Sequence, residues 1–193
     1  MDYYIKVYND IIPSQDCDDM IKYYEDHVNG SQFDHEWRRC GYYPLYSTED
    51  GMLYKVRDYV NKVFERYKND IGILGGCGTL YFCNTLEIPN IMCYKHDANP
   101  EHKFNVHSDA WSVESATRQL SLIIYLNDVE EGGETRLVHN DMNIKPTKGS
   151  ILVFPSNFCY THEGKKPVSN DKYIIVSWIH FDGAKSYSTI SLK

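Results

Sequence analysis

Apolar residues recur at helical spacing twice near the N-terminus and then give way to short apolar runs separated by turn residues. Leu53, Val56, Val60, Val63, Phe64 and Tyr67 fall at three- and four-residue steps, which predicts a helix over Asp50–Lys68. A shorter helix is predicted over Ser14–His27. Ser14 can cap it, Asp16, Asp18 and Asp19 crowd its first turn, and Gly30 follows its end. Tyr3–Tyr8 reads as a strand before it, and Gly75-Gly76-Cys77-Gly78 breaks the chain after the second helix. Downstream, strands are predicted over Thr79–Leu86, Ile91–Lys95, Arg118–Leu126, Glu134–Val138, Met142–Lys145, Ser150–Phe154, Phe158–His162 and Tyr173–Phe181. Turn signals such as Glu131-Gly132-Gly133, Pro155-Ser156-Asn157 and Ser169-Asn170-Asp171 separate several of them. Strands following helices predict a mainly β fold, a sandwich or jelly roll with the N-terminal helices packed on one sheet. The 193 residues suit a single domain over 1–193, with 1–75 as an α/β support region and 79–193 as the β core.

Composition supports the strand reading, since 17 tyrosines suit a pleated, half-buried surface. The net charge of −7 argues against a surface built to hold a nucleic-acid backbone. The longest nearly apolar stretch, Leu120–Leu126, is far short of the roughly 20 residues of a membrane span. The first ten residues do not form a secretory signal, so the sequence reads as cytoplasmic, with its six cysteines reduced. Abundant Ile, Asn, Lys and Tyr hint at an AT-rich genome, bacterial or viral.

Chemistry enters with three His-x-Asp pairs: His107-Ser108-Asp109, His139-Asn140-Asp141 and His180-Phe181-Asp182. On a strand, residues i and i+2 share a face, so such a pair can reach one metal ion. A chain with eight histidines produces such pairs by chance, so the choice among them rests on the histidines downstream of each. A 2-His-1-carboxylate iron site needs a second histidine from a distant strand. His180 has none after it, and His139 precedes His162 too closely for the intervening strands. His107 is followed by His162 only after enough chain for four or five strands to cross a barrel and return. The best triad is therefore His107, Asp109 and His162. The remaining histidines, His96, His102, His139 and His180, read as structural or surface groups.

From Tyr94 to Phe181 the chain resembles the Fe(II)/2-oxoglutarate-dependent dioxygenases, in particular their prolyl 4-hydroxylase-like group. The matching pieces, in order, are His107-Ser108-Asp109, Arg118 through Asn127, Gly132-Gly133-Glu134-Thr135 and Pro146 through Ser150. Phe154-Pro155, His162 through Val168, Lys172-Tyr173 and Trp178 complete the series. The resemblance implies a double-stranded β-helix (a cupin-like jelly roll) and His107, Asp109 and His162 as iron ligands. It implies that Lys172 pairs with the distal carboxylate of 2-oxoglutarate, that Tyr125 hydrogen-bonds the same carboxylate, and that Tyr94 faces cosubstrate or substrate. Such a pairing makes physical sense, because a buried carboxylate is costly without a cation and a hydrogen bond. The implied reaction consumes O₂ and 2-oxoglutarate, yields succinate and CO₂, and hydroxylates a C–H bond, with ascorbate as an accessory. Retention of Asp109 favours hydroxylation over halogenation.

The motif spacing is most similar to enzymes that hydroxylate peptidyl proline, so a peptide or protein substrate is expected. Trp111, Trp178 and Tyr81 are the substrate-side candidates. Tyr81 and Phe82, together with the 95–106 insertion leading to Trp111, are expected to build an open aromatic groove. Aromatic faces suit proline rings and preformed polyproline II chains. The alternatives are the same chemistry on a free amino acid, another small molecule or a modified nucleobase, or a cupin-like barrel that binds metal without catalysis.

Overall fold

The computed structural model describes residues 2–46, 51–72, 77–183 and 188–192. Strand β1 (Lys6–Tyr8) leads into helix α1 (Ser14–His27), the hairpin β2 (Gln32–His35) and β3 (Arg38–Pro44), and the long helix α2 (Met52–Ile71). A helical turn, α3 (Cys77–Leu80), precedes β4 (Thr85–Glu87), β5 (Asn90–Tyr94) and β6 (Lys103–His107). Then come β7 (Arg118–Tyr125), β8 (Thr135–Leu137), β9 (Met142–Ile144), β10 (Ile151–Pro155), β11 (His162–Gly164), β12 (Lys172–His180) and β13 (Thr189–Ser191).

Both helices form where apolar periodicity places them. Cys17, Met20 and Tyr24 of α1 are buried, as are Leu53, Val56, Val60, Val63, Phe64, Tyr67 and Ile71 of α2. Each such side chain contributes about 1.5–3 kcal/mol on burial, so docking, more than intrinsic propensity, holds α2 together. Two details differ from expectation. Pro13 takes the N-cap position of α1 and leaves Ser14 inside the first turn without a capping bond. The second helix begins at Met52 and runs on to Ile71, while Asp50, Gly75 and Gly76 lie outside the described residues.

The strands form one continuous antiparallel path in the order β1-β10-β7-β12-β5-β3-β6-β11-β8-β9, with β2 on β3, β4 on β12 and β13 on β4. The path curls into the jelly roll. Period-2 alternation divides its side chains between two cores. On β5, β7, β10 and β12, residues Ile91, Cys93, Leu122, Ile124, Ile151, Val153, Tyr173 and Ile175 pack toward the helices. Their neighbours Met92, Tyr94, Ile123, Tyr125, Leu152, Phe154 and Ile174 point into the interior of the curl. Burial on both faces explains why these strands read as unbroken apolar runs.

Other predicted strands are corrected. Residues 79–86 hold α3, a turn closed by Phe82 N–H and Cys83 N–H on the carbonyls of Thr79 and Leu80, and only then β4. Residues Phe158–Tyr160 form a 3₁₀ turn, capped by the Asn157 side chain on Cys159 N–H, so the strand begins at His162. The hairpin β2–β3, β6 and β13 are additional strands. The exposed positions of β2 and β6 give no apolar alternation to detect. No helix of the described residues is long and apolar enough to cross a membrane.

Candidate metal centre and adjoining clefts

Strands β6 and β11 pair antiparallel with His162 directly opposite His107, so the two imidazoles lie side by side with centroids 4.2 Å apart. Asp109, two residues past His107, turns in beneath them. Its Oδ1 lies 3.5 Å from His107 Nε2 and its Oδ2 3.6 Å from His162 Nε2. Each ring is oriented from behind. His107 Nδ1 lies 2.8 Å from the Asn105 carbonyl and His162 Nδ1 3.1 Å from the Tyr160 carbonyl. A carbonyl only accepts, so Nδ1 carries the proton and Nε2 turns its lone pair toward the partner ligands. Ser121 Oγ donates to Asp109 Oδ2 at 2.5 Å and sits 2.9 Å from Ser156 Oγ, while Arg118 Nη1 holds the Asp109 carbonyl at 3.0 Å.

The electrostatics keep Asp109 ionised and His162 neutral. Burial raises Asp109, but the attraction of His162 and the hydrogen bond and charge of His107, helped by Ser121, outweigh it and hold the carboxyl well below its usual range. Burial drives His162 down to about 4 against the pull of Asp109. Two imidazoles and one carboxylate, their donor atoms within 4.8 Å of one another, fit a divalent metal of the 2-His-1-carboxylate type. The rival pairs sit elsewhere. His139 is exposed, and His180 is fully buried between Glu87 Oε2 at 2.8 Å and Thr117 Oγ1 at 3.0 Å.

Alternation along β12 places Lys172, Ile174, Val176 and Trp178 on the inward face, and all four line a chamber that ends at His107, Asp109 and His162. Lys172 is 2% exposed and has no ion pair among the described residues. Burial lowers its ammonium to about 8, opposed by Glu134. Its Nζ lies 5.5 Å from the Tyr94 ring centre and 5.8 Å from that of Tyr125. Tyr94 lines the chamber; Tyr125 does not. The Tyr125 hydroxyl donates to Thr135 Oγ1 at 2.8 Å, and Thr135 is the residue that reaches the wall. The space left among these side chains is a narrow one, about 40 Å³.

A wider cleft of about 660 Å³ opens beside the triad, and all three tryptophans of the chain, Trp37, Trp111 and Trp178, line it with Phe104 and Arg118. Trp111 is 75% exposed, yet its turn is fixed, because Ser115 Oγ accepts from the N–H groups of Trp111 and Ser112. Trp178 lies against the guanidinium of Arg118, which is itself clamped by both oxygens of Glu87. Tyr81 lines neither space. It stands on the α2 side of the fold, its ring 5.5 Å from Lys68 Nζ. The 95–102 segment likewise packs beside the β2–β3 hairpin, and only Phe104 of the insertion reaches the cleft.

Several site residues escape the sequence reading. Ser121 and Thr135 carry the period-2 register of inward positions and could be found by counting back by twos from Tyr125 and Leu137. Trp37 and Arg38 give no such signal, since no apolar alternation marks the hairpin that carries them.

The family profile described as the 2OG-Fe(II) oxygenase superfamily matches residues 89–180, a span that runs from β5 to the end of β12 and holds the whole triad and Lys172. No curated protein is matched by the sequence. Solved structures share the fold at low identity. A viral collagen prolyl hydroxylase from Paramecium bursaria Chlorella virus-1, in complex with 2-oxoglutarate, superposes with a TM-score of 0.69 at 18% identity over 92% of this chain and 96% of its own. A Pseudomonas putida prolyl-4-hydroxylase gives 0.65 at 12% identity over 94% of both chains. A Trichoplax adhaerens prolyl hydroxylase, in complex with a hypoxia-inducible factor peptide fragment, gives 0.72 at 18% identity over 93% of this chain and 84% of that one. Residues 89–180 thus carry the profile of the 2OG-Fe(II) oxygenase superfamily, on the jelly roll that the chain shares with prolyl hydroxylases of known structure.

Proposed function

We propose that this oxygenase hydroxylates proline in a peptide or protein substrate, using Fe(II), O₂ and 2-oxoglutarate, with ascorbate sustaining turnover. The observation that carries the reading is a pair of adjoining cavities with shared walls. His107 and Asp109 line both a narrow chamber, which holds His162 and the Lys172 ammonium, and an open cleft walled by three tryptophans. Fe(II) and 2-oxoglutarate, when bound, supply oxidation coupled to decarboxylation to succinate and CO₂.

The chain's own residues divide the remaining work. His107, Asp109 and His162 hold the metal, their geometry preset by the Asn105 and Tyr160 carbonyls and by Ser121. Lys172 takes the distal carboxylate of 2-oxoglutarate, and Thr135, backed by Tyr125, offers a hydroxyl on the same wall. Tyr94, Met92, Ile123, Ile174 and Val176 keep water from the chamber and so strengthen that charge pair. In the cleft, Trp111 and Trp178 offer flat apolar faces to an extended chain, with a proline ring directed at the metal side. Peptide capture by the Trichoplax relative supports an open cleft of this kind.

The test offers proline-rich peptides, free proline and nucleosides under identical conditions with Fe(II), ascorbate and 2-oxoglutarate. A mass gain of one oxygen atom on proline in a peptide, matched by succinate release, is expected. Oxidation of free proline or a base with every peptide untouched refutes the substrate assignment.

A further inference from the structure

Arg38 stands apart from every other arginine of the chain. There are six, and five pair with a carboxylate: Arg39 with Asp34, Arg57 with Asp58, Arg66 with Asp70, Arg118 with Glu87 and Arg136 with Glu163. Arg38 has no carboxylate partner among the described residues, and it lines both the inner chamber and the outer cleft. Its guanidinium is held in one plane, with the Phe33 ring centre 3.9 Å away and that of Phe104 4.5 Å away. Phe104 in turn stacks on His107 at 3.5 Å. The neighbours around its edge are neutral: Nη2 donates to Met92 Sδ at 2.9 Å, and Tyr94 and Cys40 lie within hydrogen-bonding reach. Nε is buried with no hydrogen-bond partner. A guanidinium stays charged at any accessible pH, and a half-buried one without an anion is costly.

Position says which anion fits. Lys172 lies deep in the chamber with Glu134 near enough to act on it, whereas Arg38 stands on the wall that the chamber and the cleft share and has no carboxylate of its own among the described residues. We infer that Arg38 recognises a carboxylate of the substrate next to the reacting carbon, so that the enzyme selects acidic substrates. The inference rests on the oxygenase reading above and adds the chemical class of what enters the cleft. The carboxylate can come from an acidic residue beside the target in a peptide or from the α-carboxylate of a free amino acid.

Binding to protein loaded with Mn²⁺ and 2-oxoglutarate separates these sources, with fluorescence of the cleft tryptophans as the readout. One arm compares proline-rich peptides carrying Asp or Asn beside the proline; the other compares free proline with prolinamide. In the arm that matches the natural source, the acid should bind at least tenfold tighter than its amide. Arg38→Gln should reduce that ratio to within twofold while leaving the calorimetric affinity for 2-oxoglutarate within threefold of wild type. Arg38→Lys, which keeps the charge but loses the planar stack, should fall between them and guards against a Gln variant that fails to fold. Equal binding of acid and amide by the wild type in both arms overturns the inference, as does a ratio that survives in Arg38→Gln. Loss of 2-oxoglutarate affinity with the ratio intact overturns it too, by assigning Arg38 to the cosubstrate. A preference for free proline over prolinamide, with no peptide bound, would remove the peptide reading and keep Arg38.

Discussion

Replacing Lys172 with methionine should move stability and cosubstrate binding in opposite directions. The side chain is buried and unpaired, and desolvation lowers its ammonium from 10.5 to about 8. At neutral pH the folded protein still holds this proton, so it bears the cost of the shift, about 3 kcal/mol at 1.36 kcal/mol per pH unit. Methionine of similar length removes the charge without opening a hole. The metal- and cosubstrate-free variant should therefore be at least as stable as wild type, and up to about 3 kcal/mol more so. The sign can be checked by titration. Between about pH 8 and 10.5 the unfolded chain binds more protons at this site than the folded one. Wild-type stability should therefore rise relative to the variant as pH climbs through that window. Binding goes the other way. Loss of the cation facing the distal carboxylate should cost about 2–5 kcal/mol, a 30- to 5000-fold weaker affinity for 2-oxoglutarate. Wild-type affinity should likewise decline above about pH 8, where the free ammonium loses its proton. Urea unfolding of both proteins and calorimetry of 2-oxoglutarate on the Mn²⁺-loaded forms measure the two effects. A destabilised variant that binds 2-oxoglutarate as wild type does refutes the reasoning on both counts.

Four further substitutions probe the site and its frame. His162→Ala should abolish Mn²⁺ binding by calorimetry while His139→Ala leaves it intact, because His162 faces Asp109 and His139 is exposed elsewhere. Ser121→Ala removes the donor on Asp109 Oδ2 and should weaken Mn²⁺ affinity about 10- to 100-fold, the usual cost of losing such a supporting bond. Gly149→Ala should lower the melting temperature by roughly 2–4 °C for each of the about 1–3 kcal/mol it costs. Gly149 sits at a φ of +78°, and a Cβ there would collide with the Ile12 carbonyl oxygen.

How much of the fold is legible in the sequence depends on which faces are buried. Helix α2 announces itself because seven of its side chains recur on one buried stripe. Strands β7, β10 and β12 do so because both of their faces are covered. The ligand triad is legible because a strand fixes the spacing of His107 and Asp109, and only one distant histidine is placed to return beside them. The cleft is another matter. Its walls come from the β2–β3 hairpin and β6, where exposed and charged residues such as Asp34, Glu36 and Lys103 hide the period of the strand. Trp37 and Arg38 are therefore invisible to periodicity. Tyr81 shows the opposite failure: it lies just after a glycine run, but nearness in sequence does not say on which side of the barrel a loop lands.

The cross-strand pairing of His107 with His162 also governs how the protein gains its metal. The two residues are 55 positions apart, so the loop closed between them is entropically costly until β7 through β10 have found their places. A slip of one residue in β11 would turn His162 outward and leave Glu163 facing the carboxylate of Asp109. Metal capture by this triad would then proofread strand register, since a misaligned barrel presents one imidazole in place of two. An ion held by both strands acts as a reversible crosslink, adding about 2.7 kcal/mol of stability at a concentration one hundred times its dissociation constant. Starvation for iron would then shorten the lifetime of the folded chain as well as silence it.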